Sequence, residues 1–143
     1  MIYTELTRRA MRIAYDAHAG ALDDTGVPYI FHPIHVAERM TTEHSCCAAL
    51  LHDVVEDTDV TLEDLRAAGM PLAVTVAVGL LTHDPAVDYF DYVRAIKGNP
   101  IAREVKLADL EHNSDLSRLE RVGSADIERN RKYAQARAIL LED

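Results

Sequence analysis

The sequence has few of the features that mark exported, membrane-spanning or nucleic-acid-binding proteins. It contains 2 cysteines, the adjacent Cys46 and Cys47, where a mutual disulfide would be strained. No apolar run is long enough to cross a bilayer, and residues 1–12 carry frequent charges where a signal peptide would have an apolar block. We therefore expect a soluble, cytoplasmic protein with both cysteines reduced and in the core.

Positive charge is also scarce. The 143 residues include 15 lysines and arginines against 24 aspartates and glutamates, which gives a formal net charge of −9 and no basic run. Such a field repels nucleic-acid backbones, so neither nucleic acid nor membrane is an expected partner. A phosphorylated small-molecule substrate would need local positive charge, and a bound metal ion is one source of it.

The pattern of β-strands is missing as well. Apolar residues recur with a period near 3.6, and no segment alternates as a half-buried strand does. The pattern predicts an all-α, compact, single-domain bundle over residues 1–143, with about 7–9 helices and no significant sheet. One predicted helix begins at Pro33, another runs from about His44 to Glu56, and Ser124 caps the last. The inward residues expected in that last helix are Ile127, Ala134, Ala138 and Leu141.

Ionisable residues crowd one end of the most apolar predicted helix. His52 and Asp53 close the run CCAALLHDVVED, and Glu56 and Asp57 follow one helical turn later. Burying such groups is costly unless they pair or hold an ion, and a divalent cation would reverse the repulsion among the carboxylates. The alternative is a solvated helix end with an accidental cluster of charges.

Two residues from other segments could complete a metal site. His32 stands at the start of the second predicted helix, with His35 one turn later as a competitor, and Asp109 lies in the apolar context VKLADLEHN. Asp109 could also be a simple salt-bridge partner of Lys106, one turn back. A set of two imidazoles and two carboxylates suits Mn²⁺, Fe²⁺ or Zn²⁺ better than Mg²⁺ or Ca²⁺. Such an ion lowers the pKa of a bound water, which phosphate-ester hydrolysis needs.

Four ordered motifs resemble the HD-domain superfamily and, within it, the hydrolase domain of the RelA/SpoT homologues, including small stand-alone alarmone hydrolases. They are AHAG (17–20), PYIFHPIHVA (28–37), ALLHDVVEDT (49–58) and KLADLEHN (106–113), and the match covers most of the chain. The resemblance implies an HD-type domain in which one metal ion, usually Mn²⁺, is bound by His32, His52, Asp53 and Asp109.

The same resemblance implies a reaction and roles for further residues. Glu56 and Asp57 would assist the attacking water, and Asn113, Arg129 and Tyr133 would contact the nucleotide. The reaction would remove the 3′-pyrophosphate of guanosine tetra- or pentaphosphate and give GDP or GTP plus pyrophosphate. Because only the hydrolase part of the family is matched, a synthetase activity is not expected.

The chain departs from the family pattern after AHAG. The family commonly has a basic pair there, whereas this chain has Asp23 and Asp24. Two acids would repel an anionic nucleotide, although other cations such as Lys106 and Arg129 could compensate by binding the substrate.

The sequence therefore favours a Mn²⁺-dependent phosphohydrolase that acts on guanosine 3′,5′-bispyrophosphate. One alternative is the same chemistry on another nucleotide, such as an adenosine alarmone or the 2′-phosphate of NADPH. Another is a metal-stabilised regulatory module that binds a nucleotide without cleaving it. The sequence does not set an oligomeric state.

Overall fold

A computed structural model describes residues 1–142 and has an all-helical architecture. Its described part contains nine α-helices and a short 3₁₀ helix, Leu116–Arg118. The α-helices are α1 (Glu5–Ala17), α2 (Phe31–Glu38), α3 (Glu43–Leu51), α4 (Val54–Asp57), α5 (Leu62–Ala67), α6 (Leu72–Leu81), α7 (Tyr89–Lys97), α8 (Pro100–Asn113) and α9 (Ser124–Leu141). The predicted all-α class and helix number are confirmed, and the one β-type pairing among these residues is an isolated bridge between Leu22 and Pro28. None of the described helices is both long and apolar enough to cross a membrane.

Helix α3 forms the centre of the core. Every residue from Ser45 to Leu51 is buried, including the free Cys46 and Cys47, and the helix packs against α1, α2, α6 and α8. Because no face of residues 45–51 reaches water, this part of α3 requires apolar or small side chains on all sides, which the segment supplies. Thr42 begins the helix by accepting a hydrogen bond from the Ser45 backbone N–H at 3.2 Å.

The central helix ends where the ionisable residues begin. Two separate helices, α3 and α4, flank His52 and Asp53, so the prediction of one helix continuing to Glu56 is wrong. The His52 ring folds back on α3, with its Nδ1 2.6 Å from the carbonyl oxygen of Ala49. Since the two ring nitrogens lie on opposite sides of the imidazole, this contact directs Nε2 away from α3 and toward α2 and α8.

Helix α2 begins two residues earlier than predicted. It starts at Phe31, so Pro33 lies within the first turn and His32 is its second residue. A proline is tolerated at this point because the first backbone N–H groups of a helix have no partner inside the helix. His32 is buried, with 5% of its surface exposed, in the first turn of α2, and α2 packs against α8.

The final helix buries a different face from the one expected. Ala136 and Leu140 are its buried residues, and Tyr133 is partly buried against the core. The predicted inward residues Ile127, Ala134, Ala138 and Leu141 are exposed. Alanines occur on several faces of α9, so the apolar pattern did not distinguish the packed face. Gly123, not Ser124, is the capping residue.

Candidate metal centre and adjoining pocket

Four side chains from three segments converge beside the junction of α3 and α4. The Nε2 atom of His32, from α2, lies 2.9 Å from Oδ1 of Asp109, from α8, and 3.7 Å from Oδ2 of Asp53. The Nε2 atom of His52 lies 3.0 Å from Oδ2 of Asp53 and 3.4 Å from Oδ1 of Asp109. Donor atoms of His32, His52 and Asp109 all lie within 4.8 Å of one another, and Asp53 adjoins this group through both histidines.

The spacing of these atoms fits a shared metal ion. Ligands about 2.1 Å from one ion stand about 3.0–3.4 Å apart at octahedral or tetrahedral angles. The four N···O distances here are 2.9–3.7 Å. In addition, Nε2 of His52 is buried and forms no hydrogen bond, although two carboxylate oxygens lie close to it. A buried polar atom of this kind is costly unless a ligand takes it, so the donor set fits a divalent cation.

The other nitrogen of His52 determines where its proton lies. The Ala49 carbonyl oxygen can only accept, so Nδ1 of His52 carries the hydrogen. A neutral His52 ring therefore offers an unprotonated Nε2 to the cluster, as metal coordination requires. Burial by itself lowers the pKa of His52, but the carboxylates of Asp53 and Asp109 outweigh it and raise this pKa well above its ordinary value. A metal ion must therefore displace a proton from this nitrogen.

Asp109 is buried among groups that favour its charged form. Lys106 places Nζ 2.9 Å from Oδ2, and Asn113 donates to Oδ1 at 3.0 Å. Burial raises the pKa of the Asp109 carboxyl, but Lys106 and the two histidines of the cluster hold it well below its ordinary value. Lys106 is itself enclosed beneath the rings of Tyr89 and Tyr92 and does not line the pocket described below.

The predicted catalytic acids, Glu56 and Asp57, are exposed on α4, directly after the cluster. Glu56 accepts a hydrogen bond at 2.6 Å from the backbone N–H of His83, which connects α4 to the loop after α6. Partial burial, together with the charges of Asp53 and Glu56, raises the pKa of Asp57 to about 6. A carboxyl group with this pKa can exchange a proton near neutral pH.

Two residues that sequence reasoning missed contact the cluster. The Tyr29 hydroxyl donates to Oδ2 of Asp53, and burial, followed by the Asp53 charge, raises the pKa of Tyr29 so that it stays protonated. Nδ1 of His112 lies 2.7 Å from Nδ1 of His32. A signal for His112 was available, because it follows Asp109 by three residues and so shares its face of α8.

His35, the competing histidine, lies outside the cluster. It is exposed on α2, and its ring stacks on His112 with the ring centres 4.0 Å apart. The His112 imidazole is thus enclosed between two histidines of α2. Burial and the neighbouring His32 lower the pKa of His112 to about 4, so it is neutral near pH 7.

A pocket of about 200 Å³ opens beside His32 and Tyr29. Its walls come from the loop after α1, the end of α8 with the 3₁₀ helix, and α9. Three predicted substrate contacts, Asn113, Arg129 and Tyr133, line it together with His32. Lys106 is the predicted contact that the structure places elsewhere, against Asp109.

Asp23 and Asp24 also line this pocket, and each faces an arginine. Oδ2 of Asp23 lies 3.6 Å from Nη2 of Arg118, and Oδ2 of Asp24 lies 3.7 Å from Nη1 of Arg129. The other oxygen of Asp23 accepts hydrogen bonds from backbone N–H groups of its own loop. Each of the two acids that depart from the family pattern therefore lies beside an arginine, although Arg129 is also paired with Asp126. Arg118 was not identified from the sequence.

Comparison with known proteins gives a consistent set of matches. A family model described as HD domain matches residues 10–85, which contain His32, His52 and Asp53. Over 67 residues the chain is 48% identical to a guanosine-3′,5′-bis(diphosphate) 3′-pyrophosphohydrolase of Vibrio cholerae serotype O1, and the match covers 44% of this chain and 10% of that protein. Over 63 residues it is 44% identical to the bifunctional (p)ppGpp synthase/hydrolase SpoT of Escherichia coli K12, and this match covers 41% of this chain and 9% of that protein. The matched part is thus about a tenth of each curated relative.

The fold also matches a solved structure along nearly its whole length. That structure is described as a metazoan ortholog of SpoT that hydrolyzes ppGpp and plays a role in starvation responses. The TM-score is 0.78 at 26% sequence identity, and the match covers 99% of this chain and 88% of that one. It therefore extends beyond residues 10–85 to α8, which carries Asp109.

Proposed function

Because this chain belongs to the HD domain family, we propose that it is a metal-dependent phosphohydrolase that removes the 3′-pyrophosphate of guanosine 3′,5′-bispyrophosphate or its pentaphosphate form. The observation that carries the proposal is the convergence of His32, His52, Asp53 and Asp109 at the edge of a pocket. The substrate is supported by the names of the matched relatives and of the solved structure. The products would be GDP or GTP and pyrophosphate.

We propose Mn²⁺ as the bound ion. The donor set, two imidazole nitrogens and two carboxylate oxygens, suits Mn²⁺ and also Fe²⁺ or Zn²⁺. When bound, such an ion would supply positive charge toward the phosphate oxygens and lower the pKa of a water held there.

Residues of α4 would handle the water and its proton. Asp57, with a pKa of about 6, is suited to accept the proton as the water oxygen bonds to the phosphorus of the 3′-pyrophosphate. The ribose 3′ oxygen would then take this proton from Asp57 as its bond to that phosphorus breaks, so that atoms and charge balance. Glu56, held by the His83 backbone, would orient the water from the same helix.

The pocket beside His32 would receive the nucleotide. Nη1 of Arg129 would contact phosphate oxygens once they replace Asp24, while Nη2 stays paired with Asp126. Asn113 of α8 and Tyr133, one turn after Arg129 on α9, would contact the nucleoside. The contribution of Lys106 would be indirect, because its ammonium group holds Asp109 and is enclosed by tyrosine rings.

Turnover by the purified protein tests this proposal. Metal-stripped protein would be reloaded with Mn²⁺, incubated with guanosine 3′,5′-bispyrophosphate, and assayed for pyrophosphate and GDP. We expect product from the wild type and none from Asp109→Ala, whereas His35→Ala, which changes a histidine outside the cluster, should retain activity. A folded, metal-loaded wild type that releases no pyrophosphate would contradict the substrate assignment.

A second candidate keeps the chemistry and changes the nucleotide. It is favoured by Asp23 and Asp24, because acids in the pocket wall suit a less highly charged substrate or a different base. A panel at equal concentration, including an adenosine alarmone and NADPH, distinguishes the two. Faster turnover of either one than of the guanosine nucleotide would favour this candidate, and tight binding without product from any of them would favour a regulatory module.

A further inference from the structure

His32 has a partner on each of its ring nitrogens. Nε2 lies 2.9 Å from Oδ1 of Asp109 and faces the cluster, whereas Nδ1 lies 2.7 Å from Nδ1 of His112. His32 is 5% exposed, so the second contact is largely shielded from water. Two ring nitrogens at this distance share one hydrogen, and one of them must be an acceptor without its own hydrogen.

The two rings meet edge to edge. Their planes are inclined by only 19° and their centres are 4.9 Å apart. Because rings packed face to face stay about 3.5 Å apart, an N···N contact of 2.7 Å requires the ring edges to face each other. Rings that are nearly coplanar and joined at their edges give the linear geometry that an N–H···N hydrogen bond prefers.

The direction of this hydrogen bond follows from coordination chemistry. A neutral histidine that binds a metal ion through Nε2 carries its hydrogen on Nδ1. We propose that His112 is a positioning residue, whose unprotonated Nδ1 accepts this hydrogen and so holds the His32 ring with Nε2 directed at the ion. The inference rests on the proposed function, because it requires His32 to be a metal ligand.

The second histidine of the cluster has an equivalent support. The Nδ1–H group of His52 donates to the Ala49 carbonyl oxygen at 2.6 Å, so each histidine has an acceptor behind it. For His52 that acceptor is backbone, whereas for His32 it is a side chain that substitution can remove. Metal-binding histidines generally have such an acceptor, which fixes both the tautomer and the ring orientation.

Neighbouring groups hold His112 in the required position. The ring of His35 stacks on it at 4.0 Å, and Nη1 of Arg118 donates to its backbone carbonyl oxygen at 2.9 Å. His112 also lies three residues after Asp109, so one turn of α8 supplies a proposed ligand and the support of another. This arrangement gives His112 a fixed orientation without any direct contact to the ion.

Metal affinity of matched variants tests the inference. His112→Ala removes the acceptor, whereas His112→Asn keeps an acceptor oxygen near the position of Nδ1, and His35→Ala removes only the stacked ring. Calorimetric titration of metal-stripped protein with Mn²⁺ should show about 10- to 100-fold weaker binding for His112→Ala. We expect His112→Asn to restore most of the affinity. Because His35→Ala leaves the acceptor nitrogen of His112 in place, it should bind Mn²⁺ much more tightly than His112→Ala does.

The tautomers provide a readout that does not depend on a variant folding. Nitrogen-15 NMR of the Zn²⁺-loaded wild type should show hydrogen on Nδ1 of His32 and none on Nδ1 of His112. Hydrogen on Nδ1 of His112, or wild-type Mn²⁺ affinity in His112→Ala, would overturn the inference and leave the proposed function standing. A wild-type protein that binds no divalent metal would instead overturn the proposed function itself.

Discussion

Lys106→Met removes the positive charge nearest to Asp109 and leaves an apolar stem of similar length. The ammonium nitrogen lies 2.9 Å from Oδ2, and the two side chains are 12% and 7% exposed, so solvent screens the pair only weakly. At an effective dielectric constant of about 20, the attraction at this distance is about 6 kcal/mol. Removing the ammonium group also removes the cost of burying it. We therefore expect the free energy of unfolding of the metal-free protein to fall by about 3–5 kcal/mol.

A bound divalent cation should reduce this loss. Its charge would lie beside the same carboxylate and replace part of what Lys106 supplies to Asp109. Urea unfolding of the wild type and Lys106→Met, each with a chelator and with Mn²⁺, measures both losses. Lys106→Arg is the matched control, because it keeps the charge and changes only the shape of the cation.

Two results would refute this reasoning. If Lys106→Met lowers the free energy of unfolding equally with and without Mn²⁺, the ion does not replace any of the stabilisation that Lys106 gives to Asp109. A loss below about 1 kcal/mol in the metal-free protein would mean that this enclosed pair is no stronger than a surface salt bridge.

Three further predictions follow from the charges of the site. Mn²⁺ binding should release protons and strengthen as pH rises, because the raised pKa of His52 favours a proton on the ring that the ion must displace. Calorimetry in buffers of different ionisation enthalpy measures this proton release. A binding enthalpy that does not depend on the buffer would contradict the prediction. The folded, metal-free protein raises the pKa of Asp57 from 3.8 to about 6 and so disfavours its charge. The free energy of unfolding of the wild type relative to Asp57→Asn should therefore fall as pH rises from about 4 to about 6. Urea unfolding at several pH values measures this difference, and a difference that does not change with pH would contradict the prediction. Arg129→Ala should raise KM for the guanosine nucleotide about tenfold with a smaller effect on kcat. Asp24→Asn should lower KM, because it removes one acidic neighbour of Arg129 while Asp126 remains paired with it. Steady-state kinetics that show the opposite order would contradict the proposed role of the pocket.

Local anomalies in the sequence were enough to single out two residues of the cluster. Ionisable residues at the end of an apolar segment are costly, and this cost drew attention to His52 and Asp53 without any structure. Spacing alone could not distinguish His32 from His35, since both lie near the start of α2. The structure separates them by burial, because His32 is enclosed against α8 while His35 is exposed.

Contacts between distant segments could not be predicted in the same way. From the sequence, Asp23 and Asp24 were expected to repel an anionic nucleotide. The structure places Arg118 and Arg129 beside them, which the sequence does not reveal. His112 was likewise missed, since its role depends on a contact with His32, 80 residues earlier. The prediction of the buried face of α9 was wrong for a related reason, because alanines give that helix no clear apolar side.

The interruption between α3 and α4 is the fold's main contribution to the site. Consecutive residues on a continuous α-helix point about 100° apart, so an unbroken helix would direct the side chains of His52 and Asp53 to different neighbours. In the structure, Asp53 has φ −104° and ψ −3°, a bridge conformation found in many active-site residues. This conformation brings Oδ2 of Asp53 to 3.0 Å from Nε2 of His52. Val54 and Val55 continue the apolar pattern across the junction and hide the interruption from pattern analysis. A helix boundary that the sequence failed to indicate is therefore one that brings two adjacent side chains into the same cluster.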